Sequence, residues 1–354
     1  MILEPFQINK VNLPNRIIVA PMCQYSSNDG NPSRWHYGHF QQLVFSGAGM
    51  IMMESTAVSS EGRITLKDLT LKDRENENSL LIFLKYLKSL NNIPIGIQIS
   101  HSGRKGSAHV PWHYNNRPLD KTENSWQTFA PSSLKRDKNW PIPQILSLEQ
   151  IYKIKMDFKN AAIRANRIGF DCIEIHMGHG YLLHQFLSPI SNIRKDQYGG
   201  NLKKRCQLLL EIFTEIRKIW PNDKVLGVRL TGNDWLNSGI NINDTVWIVK
   251  QLKDLGLDYA CITSGGIIPK TDLKFSKGYQ VHLADIVKNK TGIITRTAGR
   301  IKSLNHATEI LENGRADLVA FGRKFIRQPN WLLREIIKTK KNVKIPDQYS
   351  RCFI

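Results

Sequence analysis

Short apolar runs recur eight times along the chain, each followed by a longer stretch with helical spacing. This alternation constrains the fold more than any other feature. The strand-like runs are Arg16–Ala20, Gly49–Met53, Pro94–Ile99, Cys172–His176, Lys224–Leu230, Tyr259–Thr263, Ile293–Thr297 and Leu318–Phe321. They are nearly continuous apolar segments, as parallel strands covered by helices should be. Helical spacing follows over His36–Ser46, Glu77–Leu90, Leu148–Arg167, Leu202–Trp220, Asn243–Leu255, Val281–Lys288, Ser303–Glu312 and Trp331–Lys338. Ser147, three residues before Gln150, has capping-box spacing, and Gly169, Gly256 and Gly314 fall where left-handed helix caps belong. Eight strand–helix units with right-handed crossovers close into a barrel more naturally than into an open sheet. The expected class is α/β, a single TIM (β/α)8 barrel domain over residues 1–354.

Size and composition agree. The chain has 354 residues, 41% of them hydrophobic and 23% charged, which is too apolar for a disordered protein and long enough for a large core. Its net charge is +20. Lysines are spread through the chain without a basic block, so compositional drift accounts for the excess and no nucleic-acid partner is expected. Cys23, Cys172, Cys206, Cys261 and Cys352 form no Cys-x-x-Cys pair, which argues against zinc ribbons and iron–sulfur clusters. Met1-Ile2-Leu3-Glu4-Pro5 puts an acid and a proline where a signal peptide needs apolar residues, and no apolar run approaches a membrane span. A cytoplasmic protein without a membrane partner is expected.

One segment breaks the alternation. Between the third strand and third helix, an insertion of about residues 106–146 carries Trp112, Trp126 and Trp140 with little periodicity. Loops this long are functional or disordered, and the tryptophans favour an ordered flap over the barrel mouth. A tail of about residues 340–354 closes the chain.

Polar residues gather at the C-terminal strand ends, where this fold places its active sites. Pro21-Met22-Cys23 follows the first strand, and Glu54-Ser55-Thr56-Ala57 the second. Gln98 and His101 belong to the third, and His176, His179 and Tyr181 to the fourth. Arg229 lies in the fifth, Ser264-Gly265-Gly266 follows the sixth, and Ala298-Gly299-Arg300 and Gly322-Arg323 follow the last two. The late glycine turns suit a phosphate, and Arg229 needs an anion or polarisable group to offset its burial. His176 and His179 are open to three readings: metal ligands without a convincing third partner, donors to a carbonyl or phenolate oxygen, or satisfied structural imidazoles. Tyr181 adds a phenol able to deliver a proton.

These residues resemble the old yellow enzyme family. Ala20-Pro21-Met22-Cys23-Gln24-Tyr25-Ser26 resembles the first-strand motif of its thermophilic-like subclass, which includes the xenobiotic reductases and carries Cys where other members have Thr. Gly169-Phe170-Asp171 through His176, His179-Gly180-Tyr181, Phe186-Leu187-Ser188-Pro189 and Ser191-Asn192 through Arg205 resemble the fourth-strand signature. Gln98 to Lys105, Asn313 to Asp317 and Gly322-Arg323 continue a likeness running from about Phe6 to Arg351. Related barrels such as dienoyl-CoA reductases carry a cysteine-rich segment that is absent here.

The resemblance implies an ene-reductase. Tightly bound, non-covalent FMN would take a hydride from NAD(P)H, with NADPH favoured, and the C=C bond of α,β-unsaturated carbonyl compounds would be reduced by hydride transfer from flavin N5 and protonation by Tyr181. Ala20, Pro21, Met22, Cys23 and Ala57 would line the flavin. Gln98 and Arg229 would meet its pyrimidine side, and Gly299, Gly322 and Arg323 would hold the phosphate. Cys23 would tune the flavin's potential. Tyr25, His176 and His179 would bind the substrate carbonyl beside Lys105. Arg351 would act in trans within a homodimer or dimer of dimers. Two departures from the family pattern stand out: Met177-Gly178 between the histidines, and Arg296 and Arg300, which flank the seventh-strand turn and follow the basic drift or favour a phosphorylated nicotinamide.

Overall fold

A computed structural model describes residues 1–113, 117–271, 273, 275–339 and 345–353. Eight parallel strands close a barrel in chain order: Ile17–Val19, Met50–Ala57, Ile95–Ser100, Cys172–Met177, Val225–Thr231, Tyr259–Thr263, Ile294–Thr297 and Leu318–Phe321. All lie within two residues of the sequence expectation except the second, which runs four residues further. The eighth strand pairs with the first through Val319↔Ile17 and Phe321↔Val19, completing the ring. Side chains alternate along each strand. One set packs outward on the helices, as Ile95, Ile97 and Ile99 do; the other, including Ile18, Met50, Met52, Cys172 and Tyr259, fills the interior. An antiparallel hairpin, Phe6–Ile8 with Val11–Leu13, plugs the interior from below with Ile8 and Leu13. The eightfold reading passed over it because two three-residue strands carry almost no periodic signal.

The helices follow their expected stretches, with two informative differences. The capping box at Ser147 forms, and Gly169 ends that helix in the left-handed region at φ 99°. The stretch after the fourth strand divides into Leu202–Arg205 and Gln207–Ile219 at Cys206. A short helix, Leu182–Leu187, precedes them, and all six of its residues are buried. Turning a helix directly off the fourth strand locks the intervening loop His179-Gly180-Tyr181 against the barrel mouth.

The insertion is ordered where described. Its second half is closed by a two-stranded parallel pair, Phe129–Ala130 with Gln144–Ile145. Trp140 is buried, the Trp126 indole donates to the Glu61 carbonyl at 3.1 Å, and Trp112 is exposed. Arg104 pins the flap to the mouth, donating to the carbonyls of Leu134 at 3.0 Å, Lys135 at 3.3 Å and, across the barrel, Ile267 at 2.9 Å. None of the described helices is long and apolar enough to cross a membrane.

Candidate active site

Above the first, seventh and eighth strands lies a cavity of 790 Å³, within the range of small-molecule sites. It brings together Ala20, Pro21, Met22, His179, Arg229, Gly299, Gly322 and Arg323, residues drawn from five different strand ends. Gly299 has φ 111°, and a Cβ there would lie 2.6 Å from Gln280 Nε2, so the turn needs glycine on both counts. Arg300, Lys302, Lys324 and Arg327 join Arg323 on the lining, and among the described residues no carboxylate does. The Arg229 Nε is buried without a hydrogen-bond partner among the described residues. A large cleft, a glycine cradle, a half-buried guanidinium with an unmatched Nε and a cationic end fit a flat polar ring carrying a phosphate. FMN fits that description.

The histidine loop borders the same cavity. Gly178 donates its N–H to His176 Nδ1 at 3.2 Å, so the His176 proton sits on Nε2. That Nε2–H faces His179 Nδ1 at 3.3 Å, which leaves the Nε2–H of His179 as the pair's outward donor. Burial, then the Arg229 charge, pushes both imidazoles well below their ordinary range, so both are neutral at pH 7. The pair therefore works as a relay of neutral donors. The Tyr181 ring stands edge-on to His176, centroids 4.9 Å apart. Burial raises its phenol, which stays protonated. Lys105 donates to the His179 carbonyl at 2.8 Å and lies 4.8 Å from the Tyr181 ring centre.

Two residues that sequence reasoning missed hold this loop. His184 Nδ1 accepts the Gly180 N–H at 2.7 Å, and His184 Nε2 lies 3.0 Å from Asp234 Oδ1. Ser188 donates to the other Asp234 oxygen at 2.7 Å. Burial alone would raise the Asp234 carboxyl, but the His184 ring and these hydrogen bonds bring it below its ordinary value. Gly180 packs so closely on the sixth-strand turn that a Cβ would lie 2.0 Å from the Gly266 carbonyl. A strand-end histidine advertises itself in sequence; a histidine on an apolar helix reads as core.

Cys23 and Tyr25 occupy the turn after the first strand. Glu54 supports that turn from a β-bulge between Met53 and Ser55, accepting the Gln24 N–H at 2.7 Å while its other oxygen lies 3.2 Å from His36 Nε2. Burial and the nearby Glu54 and Asp68 carboxylates push the Cys23 thiol up, so it is a neutral thiol rather than a nucleophile. Tyr25, at φ 47°, sets its ring edge-on to Trp112 of the flap at 5.9 Å. Ala57 spends its N–H on Leu69 and its carbonyl on Leu71, so only its methyl is available to line a ligand.

Gln98 lies one layer lower, in a polar network inside the barrel. Its amide donates to Glu174 Oε1 at 2.7 Å, while Tyr259 and Arg296 both donate to Glu174 Oε2, at 2.6 and 2.5 Å. Arg296 thus corrects an expectation. It faces the barrel interior, fully buried against Glu174, and does not flank the phosphate turn, because strand alternation turns it inward. Arg300 does reach the cavity. Arg351 lies exposed on the 3-10 turn Asp347–Phe353, apart from the residues above. Among the described residues no cluster of His, Cys, Asp and Glu could hold a metal ion.

The model of the NADH:flavin oxidoreductase / NADH oxidase family matches residues 1–342. An NADPH dehydrogenase of Clostridium acetobutylicum is 38% identical over 354 residues, 99% of each chain. One from Bacillus subtilis is 35% identical over 352 residues, covering 99% of this chain and 98% of the relative. Among solved structures, morphinone reductase in complex with tetrahydroNAD shares the fold at TM-score 0.78 and 24% identity, over 99% of this chain and 93% of that one. An old yellow enzyme homologue from Zymomonas mobilis does so at TM-score 0.78 and 22% identity, over 97% and 94%.

Proposed function

This chain belongs to the NADH:flavin oxidoreductase / NADH oxidase family, as a flavin-dependent NAD(P)H oxidoreductase of the old yellow enzyme type, and from that premise we propose that it reduces the C=C bond of α,β-unsaturated carbonyl compounds. The observation that carries the reading is the neutral His176–His179 pair with the protonated Tyr181 phenol beside it, on the rim of the cationic cavity. The reductant is NADPH, as in the names of the relatives.

When bound, FMN supplies the hydride, from N5, to the alkene carbon β to the carbonyl. The backbone and methyl groups of Ala20, Pro21, Met22, Cys23 and Ala57 line it, Gln98 and Arg229 address its pyrimidine side, and Gly299, Gly322 and Arg323 hold its phosphate. The His179 Nε2–H, oriented through His176, donates to the substrate carbonyl and stabilises the charge that builds there, by about 3–4 kcal/mol if it matches an oxyanion-hole donor. Tyr25 supports the same oxygen. Tyr181 gives its proton to the α-carbon; burial keeps that proton in place until charge develops on the substrate. The Cys23 thiol, uncharged, adjusts the flavin's potential without adding negative charge beside it. Arg351 enters the site of a neighbouring copy in a homodimer or dimer of dimers.

Anaerobic stopped-flow spectroscopy tests the reading. NADPH should bleach the bound flavin, and 2-cyclohexenone should restore its colour with formation of cyclohexanone. A flavin that NADPH bleaches but that no enone reoxidises would overturn it.

A further inference from the structure

Beside the histidine loop, Lys105 and the flap's Arg136 are two cations that the proposed chemistry leaves unexplained. Lys105 spends one donor on the His179 carbonyl, 2.8 Å away, and covers the Tyr181 ring at 4.8 Å. Arg136 comes from the flap, half-buried, its guanidinium 4.3 Å from the Trp140 ring centre. Its place is fixed from the barrel side, because Arg104 grips the two carbonyls immediately before it, those of Leu134 and Lys135. Neither Lys105 nor Arg136 has a carboxylate within 4.0 Å among the described residues. Asp137, next in the chain, lends Arg136 only a distant field.

Two half-buried cations within each other's field, one covering the Tyr181 ring and the other held on Trp140 by the flap, are costly unless an anion joins them. Burial, then Arg136 and Arg104, pushes the Lys105 ammonium down to about 7. Burial likewise lowers Arg136, whose field reaches Tyr181 and Tyr25. The acceptor that Lys105 does have, the His179 carbonyl, is neutral, so the local balance stays positive. A phosphate has its own end of the cavity, beyond Arg229, among Arg300, Lys302 and Arg323. The planar fork of Arg136 suits a carboxylate on the same molecule as the enone, held bidentately while Lys105 supplies a point charge.

We propose that Lys105 and Arg136 form a carboxylate subsite and that the substrates of this enzyme are unsaturated carbonyl compounds bearing a carboxylate. This assignment rests on the ene-reductase reading above and narrows its substrate class. The test compares 4-oxopent-2-enoate with its methyl ester. The acid should be preferred in kcat/KM by about tenfold or more, the factor one charge-assisted hydrogen bond contributes. Arg136→Gln should collapse that preference through the KM of the acid, and Arg136→Lys should restore part of it. A wild-type ratio at or below one, or a ratio that Arg136→Gln leaves intact, overturns the subsite. If Arg136→Gln does not fold, the wild-type ratio decides alone. If neither compound turns over, the ene-reductase reading has failed. Calorimetric binding of acid and ester to the oxidised holoenzyme then still decides the subsite, with tighter binding of the acid supporting it and equal or weaker binding refuting it.

Discussion

The two ends of the cavity are built in opposite ways. The phosphate end is made of backbone and glycine: Gly299 and Gly322 on strand-to-helix turns, with cations fanned around an open rim. The substrate end is made of side chains whose charge states are set by burial: neutral His176 and His179, protonated Tyr25 and Tyr181, and a Lys105 poised near neutrality. A backbone cradle specifies a shape and tolerates a varied rim. A side-chain chamber specifies chemistry, and each group depends on what holds it. In the proposed function the backbone half serves the cofactor and the side-chain half the substrate.

The sharpest way to break that contrast is at Tyr181. Tyr181→Phe should slow reoxidation of the flavin by an enone by about 10²–10⁴-fold, the worth of a positioned general acid, while reduction by NADPH changes far less. Equal loss in both half-reactions would mean that the phenol merely shapes the pocket. Beneath both ends, Arg296→Met strands Glu174 in the barrel interior and should cost about 3–5 kcal/mol in denaturant unfolding. A cost below 1 kcal/mol would show that water reaches the network. Smaller effects are expected where a residue acts through another. Asp234→Asn weakens the His184 grip on Gly180 and should lower kcat for enones about tenfold, with little change in FMN affinity; a matching loss of FMN would erase the distinction between the ends.

The weakest effect is on pH. Burial and the Arg229 charge keep His176 and His179 neutral, so binding of a neutral enone should be flat from pH 6 to 8. Lys105 loses its charge as pH rises through about 7, facing Arg104, Arg136, His179 and Tyr181, so affinity for a carboxylate should fall severalfold between pH 6 and 8.5. Isothermal titration at several pH values separates the two behaviours.

The same division governs what the sequence revealed. The eight strands, the two glycine turns and the residues at strand ends were readable because period, punctuation and position all carry information there. Arg296 was misplaced because its inward direction depends on a register that one short strand does not reveal. His184 and Asp234 were invisible because the partner of each lies on a different element. Arg136 was missed because the flap has no periodicity to orient its side chains. Ten residues in a row can announce a turn; an unpaired cation shows itself only when its neighbours are in place.

The central claim is that the glycine cradle and cationic rim above the last two strands hold FMN beside the histidine loop. Visible absorbance of the purified protein, with the cofactor released and identified, tests it most directly. The account predicts a yellow protein carrying close to one FMN per chain, lost when Gly299 is changed to valine. A colourless preparation that takes up no FMN on reconstitution would contradict it.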